Sequence, residues 1–196
     1  HLVLRRQRQM CIRDSHNNTN IYRWNKTIIE GLDMDSPVRM LDQSRIGEIL
    51  CGESDALRGG GPVRGMLIQN TNPAVVAPDT NKVLKGLKRD NLFLVVHEQF
   101  MTETANLADV VLPATMFLEH DDLYQGGGHQ HIMLGQKLVD APGNCRSNHE
   151  VIAELGERLG VFHDGFNVDA ANVLRRTLRD SKRPSLDKFL EDPWLD

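Results

Sequence analysis

Histidines and acids gather in one part of the chain: His120, Asp121, Asp122, His129 and His131, with His149 beyond them. A His-x-His pair on one strand puts both rings on the same face, a spacing that zinc and iron sites use. Spacing fixes no third ligand here, and Gly126-Gly127-Gly128 divides the group, so solvated or hydrogen-bonded histidines are the expectation. Asp121 and Asp122, as neighbours on a strand, would point to opposite faces and share no acid–base role. No Ser or Cys occupies a G-x-S-x-G elbow, and Cys145 beside Arg146 is a lone thiol. What remains is a set of polar residues at expected strand ends or a helix start: Asn72, His97, Glu98, Glu119, His120, Ser147 and Asn148. A carboxylate at a strand end can accept from both ribose hydroxyls, and Asn, Asp or Glu oxygens can meet the donor edge of guanine. Such residues suit holding a nucleotide rather than transforming one.

The strand that must present His97 and Glu98 is Leu92-Phe93-Leu94-Val95-Val96, a continuous apolar run of the kind buried on both faces. Met66-Leu67-Ile68 is a second such strand. It runs into Gln69-Asn70-Thr71-Asn72-Pro73, where Asn72-Pro73 is either a plain turn or a ligand contact. Asp79 or Thr80 caps a helix through Val83, Leu84 and Leu87, whose terminal Lys88 and Arg89 complement its dipole. Residues 66–96 therefore form a βαβ unit. Beyond Glu98, Thr102 to Ala108 is long enough for about two helical turns, and Val110-Val111-Leu112 is a third strand stopped by Pro113. This alternation predicts an α/β fold, a Rossmann-like three-layer arrangement of parallel sheet and flanking helices, with ligands outside the carboxyl ends of the strands.

Gly59-Gly60-Gly61 precedes its strand, whereas a phosphate-cradling loop follows one, so it reads as a flexible loop and not a dinucleotide fingerprint. Upstream, Ile21 to Ile29 is a short helix or an irregular connection, and Ser44 or Asp42 caps a helix through Ile46, Ile49 and Leu50 that Gly52 ends. Downstream, His129 to Leu134 alternates as an exposed strand. Ser147 caps a helix through Val151, Ile152, Leu155 and Leu159, closed by Gly160; Asp169 opens another through Leu174 and Leu178; Ser185 opens a last one through Leu186 and Phe189. This C-terminal helical tail reads as packing.

A formal net charge of −4 over 196 residues, with no basic stripe, gives no case for nucleic acid. The longest apolar runs fall far short of the roughly 20 residues that span a bilayer. Cys11, Cys51 and Cys145 stand far apart and outside CxxC spacing, which points to reduced thiols rather than a zinc or iron–sulfur site. Residues 1–15, HLVLRRQRQMCIRDS, are basic, aperiodic and begin without Met; they read as a non-native, adaptor-like leader and are set aside from the fold.

The order of segments carries more than any one of them. Asn72-Pro73 after a strand, then Val95-Val96-His97-Glu98, Phe100-Met101-Thr102-Glu103-Thr104-Ala105, Ala108-Asp109-Val110-Val111-Leu112-Pro113-Ala114 and Glu119-His120 together resemble the molybdopterin oxidoreductase family, which includes dimethyl sulfoxide reductase, formate dehydrogenases and nitrate reductases. The resemblance runs from Asn18 to Asp196 and corresponds to that family's nucleotide-binding-like α/β domain. It implies that these residues help hold one guanosine end of a molybdenum-carrying bis-molybdopterin guanine dinucleotide. Asn72 would lie near that cofactor. His97 and Glu98 stand where the family often has a polar residue and Asp, His120 where some members have Lys, and Asn148 where several have Asp. Glu98 keeps the ribose-accepting carboxylate, Asn148 loses a charge, and Gly126 to Gln130 stands where Asn and Arg are usual.

The implied partners are the cofactor, a small-molecule substrate and an electron-transfer subunit, with an iron–sulfur cluster in the family's N-terminal part. Neither nucleic acid nor a membrane span is implied, and both cytoplasm and periplasm stay open. On this reading the chain is an internal piece. Residues 16–165 are the α/β cofactor domain, and 166–196 a helical connection toward the family's C-terminal β-barrel. The molybdenum-ligating Ser, Cys or selenocysteine lies elsewhere, so the piece is expected to be inactive alone. The alternative is a non-catalytic scaffold resembling the large iron–sulfur subunit of respiratory complex I, which uses no molybdenum. A stand-alone guanine-nucleotide module is a third reading.

Overall fold

The computed structural model describes residues 41–125, 132–161 and 165–191. The leader at 1–15, the segment Ile21 to Ile29 and the run Gly126 to His131 lie outside the described residues. The chain divides into two compact units, one made of Pro37–Thr115 with Ala141–Asn148, the other including Met116–Asp140 and His149–Asp196.

The first unit is built on a parallel sheet, ordered β1 (Gly65–Gln69), β2 (Phe93–Glu98), β3 (Val110–Pro113), with helices α1 (Ile46–Cys51), α2 (Pro73–Val76) and α3 (Thr80–Leu87). In register, Ile68 lies opposite Val96 and Gln69 opposite His97, while Val96 and His97 lie opposite Val111 and Leu112 of β3. Because side chains alternate, Ile68, Leu94 and Val96 turn to one face, where they form a buried cluster with Ile46, Leu50, Val83 and Leu87 from α1 and α3. Gln69 and His97 turn to the other face. The two helices cross closely: a Cβ on Gly86 would sit 2.3 Å from the Leu50 Cβ, and one on Gly47 2.8 Å from the Lys82 Cβ. Asp79 caps α3 by accepting from the Lys82 amide at 3.2 Å, and Gly52 ends α1 in the left-handed region.

Two local expectations change. Thr102 to Ala108 makes one 3₁₀ turn, Ala105–Leu107, instead of two helical turns. The Thr102 hydroxyl accepts from the Ala105 amide and the Thr104 hydroxyl is engaged elsewhere, so side chains compete with a regular helix. Pro113 closes β3 from within, opposite Glu98, on an outer strand of the sheet where a missing N–H is tolerated. Ahead of the Gly59-Gly60-Gly61 run, Ala56 and Leu57 are buried against Ile49.

The second unit carries an antiparallel pair, β4 (Asp122–Gln125) and β5 (Ile132–Gly135), and helices α4 (Asn148–Arg158), α5 (Ala170–Asp180) and α6 (Leu186–Glu191). Leu174, Leu178, Leu186 and Phe189 form its core with Leu123 and Leu134 against them. Asp169 caps α5 by accepting from the Asn172 amide at 2.7 Å, as expected from its position. β4 is not legible as a strand on its own, because its Asp-rich sequence gains an apolar side only through the pairing of Leu123 with Leu134.

Candidate functional site

Three parallel strands end together in the first unit, and the polar residues expected there fall into two hydrogen-bonded groups. The first centres on His97, which is wholly buried. Its Nε2 lies 3.0 Å from the Arg146 carbonyl and its Nδ1 lies 3.0 Å from the Gln69 Nε2. A backbone carbonyl only accepts, so Nε2 carries a proton, and in the neutral ring Nδ1 accepts from the Gln69 amide. The same Gln69 nitrogen lies 3.5 Å from the Asn148 Oδ1. Arg146 is held beside the sheet as well: its N–H donates to the Pro113 carbonyl, its carbonyl accepts from the Thr115 N–H, each at 3.1 Å, and it bridges Ala114 in parallel. His97 thus fastens the segment that delivers Asn148 to the carboxyl end of the sheet.

The second group joins the exit of β1 to the turn after β2. The Asn72 Oδ1 accepts from the Thr104 hydroxyl at 2.6 Å and from the Thr104 amide at 3.2 Å, while its Nδ2 donates to Glu103 at 2.7 Å. Thr104, itself fully buried, in turn accepts from the Ala74 amide at 3.1 Å. The amide of Asn72 beside Glu103 holds that carboxyl below its ordinary range. Asn72 is therefore engaged through both ends of its side chain.

Glu98 is half-buried at the tip of β2, where one carboxylate oxygen accepts from the Gln99 amide at 2.8 Å. The other oxygen has no partner among the described residues and is left as an acceptor at the last residue of β2. Asn148 is exposed, and its Nδ2 likewise has no partner among the described residues. His120 belongs to the second unit, where its Nε2 is 3.8 Å from Asp122. Glu119 closes its own turn by accepting from the Met116 amide at 2.8 Å, and Asp121 accepts from the Lys137 amide at 2.7 Å. Among the described residues no group of His, Cys, Asp and Glu is arranged to hold a metal ion.

Gln69, Thr104 and the Arg146 carbonyl complete these groups, and none stood out as a site residue in the sequence. Gln69 had a signal: as the last residue of β1 it shares a sheet face with His97 once the two strands are paired. Thr104 had one in the T-x-T-A segment. The Arg146 carbonyl had none, because a backbone acceptor leaves no trace in residue type.

A parallel sheet with this polar edge is shared by a large class of cofactor enzymes, and residues 24–158 match the molybdopterin oxidoreductase family. The chain belongs to that family. It is similar to the probable oxidoreductase YoaE of Bacillus subtilis, 39% identical over 165 residues that make up 83% of this chain and 23% of that protein. A periplasmic nitrate reductase of Desulfovibrio desulfuricans is 39% identical over 53% of this chain and 14% of its own length. The F420-dependent formate dehydrogenase subunit alpha of Methanocaldococcus jannaschii is 37% identical over 61% and 17%. The chain thus spans under a quarter of the length of these relatives. The fold is similar to that of acetylene hydratase from Pelobacter acetylenicus, with a TM-score of 0.60 and 22% identity over 76% of this chain and 20% of the other.

Proposed function

We propose that these residues form the part of a molybdenum-dependent oxidoreductase that holds the guanosine end of a bis-molybdopterin guanine dinucleotide. The observation that carries this reading is the chemistry at the carboxyl end of the sheet. The unpartnered Glu98 oxygen is an acceptor suited to a ribose hydroxyl, and the outward Asn148 amide is suited to a base. A carboxylate acceptor and a carboxamide are groups of the kinds that suit a ribose and a base. Asn72 and His97 act behind these contacts: Asn72 fixes the turn after β2, and His97 fixes the approach of Asn148. His120 is proposed as a contact on the resemblance alone.

When bound, the molybdenum of such a cofactor supplies oxygen-atom or electron transfer to a small substrate, while these residues bind and orient its nucleotide end. An iron–sulfur cluster and an electron-transfer subunit belong to the same proposal, outside these residues. Guanosine diphosphate titrated into the chain and followed by ligand-observed NMR tests the reading. Weak binding is expected. Glu98→Ala should weaken it by about tenfold or more, the usual loss when a charged acceptor is removed. Unchanged binding in that variant would remove Glu98 from the site.

A further inference from the structure

The hydrogen bonds around His97 form a chain with a fixed direction, and that direction determines what Asn148 offers to a ligand. The chain begins at the Arg146 carbonyl, which can only accept. As a neutral ring His97 therefore donates from Nε2 and accepts at Nδ1, which turns the NH₂ group of Gln69 toward the ring, 3.0 Å away. That NH₂ carries a second hydrogen, and the Asn148 carboxamide lies 3.5 Å from the same nitrogen. Two amide nitrogens facing one another there would repel, so Asn148 turns Oδ1 inward and Nδ2 outward. Side-chain amides are ordinarily free to exchange their two ends; here a backbone carbonyl three links away removes that freedom.

We infer that Asn148 presents a hydrogen-bond donor, not an acceptor, and so reads the carbonyl edge of a purine and not the amino group of guanine. The inference rests on the nucleotide-binding reading above and sharpens its specificity. Guanine and hypoxanthine share O6 and N7 and differ only in the exocyclic amine. A donor at Asn148 meets what they share. An aspartate at the same place would offer an oxygen outward while still accepting from Gln69, and would favour the base that carries the amine.

Two measurements on the full chain test this. Nitrogen-15 NMR of the ligand-free protein should find His97 protonated at Nε2 and accepting at Nδ1; the opposite tautomer overturns the inference. Guanosine and inosine diphosphates should bind the wild-type chain within about twofold of each other, whereas Asn148→Asp should favour guanosine by about fivefold or more, the scale of one added hydrogen bond. A purely structural role for Asn148 would change both affinities together and leave their ratio alone, and that result overturns the inference. So does a clear guanosine preference in the wild type. Binding of neither nucleotide by either protein would overturn the nucleotide reading itself, together with what rests on it.

Discussion

Asn72 caps α2 with its backbone and not its side chain: its carbonyl accepts from the Val75 and Val76 amides, while its carboxamide reaches Thr104 and Glu103. A consequence follows for pH. The Glu103 carboxyl is held below its ordinary value of 4.5 by the Asn72 amide. A group whose pKa is depressed by folding contributes stability above its unfolded pKa and loses it as pH falls through the folded one. The contribution of this pair is therefore complete above pH 4.5 and disappears on acidification below it. In Asn72→Ala the Glu103 carboxyl should titrate closer to its ordinary value, its own backbone amide still lowering it, and the acid limb of the stability curve should flatten. A carbon-detected NMR titration of Glu103 together with thermal melts between pH 3 and 6 checks both. At this scale the sequence was half legible. It marked Asn72, His97, Glu98 and Asn148 as polar residues near strand ends, but hydrogen-bond direction depends on partners brought from 28 to 79 positions away.

The elements were more legible, because apolar periodicity and caps are local. Asp79, Gly52 and Asp169 stand where their sequence context places them, and the buried runs of β1 and β2 pair as a parallel βαβ unit should. The 3₁₀ turn at Ala105–Leu107 escaped because hydroxyls of Thr102 and Thr104 take over from the backbone, and β4 escaped because its partner supplies its apolar side. The α1–α3 crossing was not legible either. Gly86 looks like a weak residue in a helix, and replacing it by Ala should gain about 1 kcal/mol on propensity alone. The added methyl group would instead meet Leu50 at 2.3 Å, and overpacking of that kind costs about 1–3 kcal/mol. Steric cost should win. Gly86→Ala is expected to lower the urea midpoint of the first unit; a raised midpoint would mean that the helices separate at little cost.

Among the described residues each unit has its own main core, one around Leu94 and Val96 and the other around Leu178 and Phe189, with a smaller cluster of Ile49, Ala56 and Leu57 in the first unit. Family membership was legible from the order of the segments after each strand, and it extends over residues 24–158. On the proposed reading, the catalytic outcome depends on more of the protein than these residues. The chain covers 23% of YoaE and 14% of the nitrate reductase. The purified chain supplied with cofactor and an artificial electron donor or acceptor should neither reduce dimethyl sulfoxide or nitrate nor oxidise formate above background. Turnover would overturn the assignment of a supporting role. No described helix is long and apolar enough to cross a membrane.

The buried histidine also bears on how the sheet finds its alignment. Strand register has a period of two, so slipping β2 by one residue would carry every side chain to the opposite face. Apolar residues tolerate such an error here, because Leu94, Val95 and Val96 are nearly interchangeable in shape and polarity. His97 is not. Turned toward Ile68 and Val83 it would be enclosed with neither the Gln69 amide nor the Arg146 carbonyl, and an enclosed polar ring without partners costs about 1–3 kcal/mol. After the apolar run Phe93 to Val96, His97 is the buried polar residue that distinguishes the right alignment from its nearest rival.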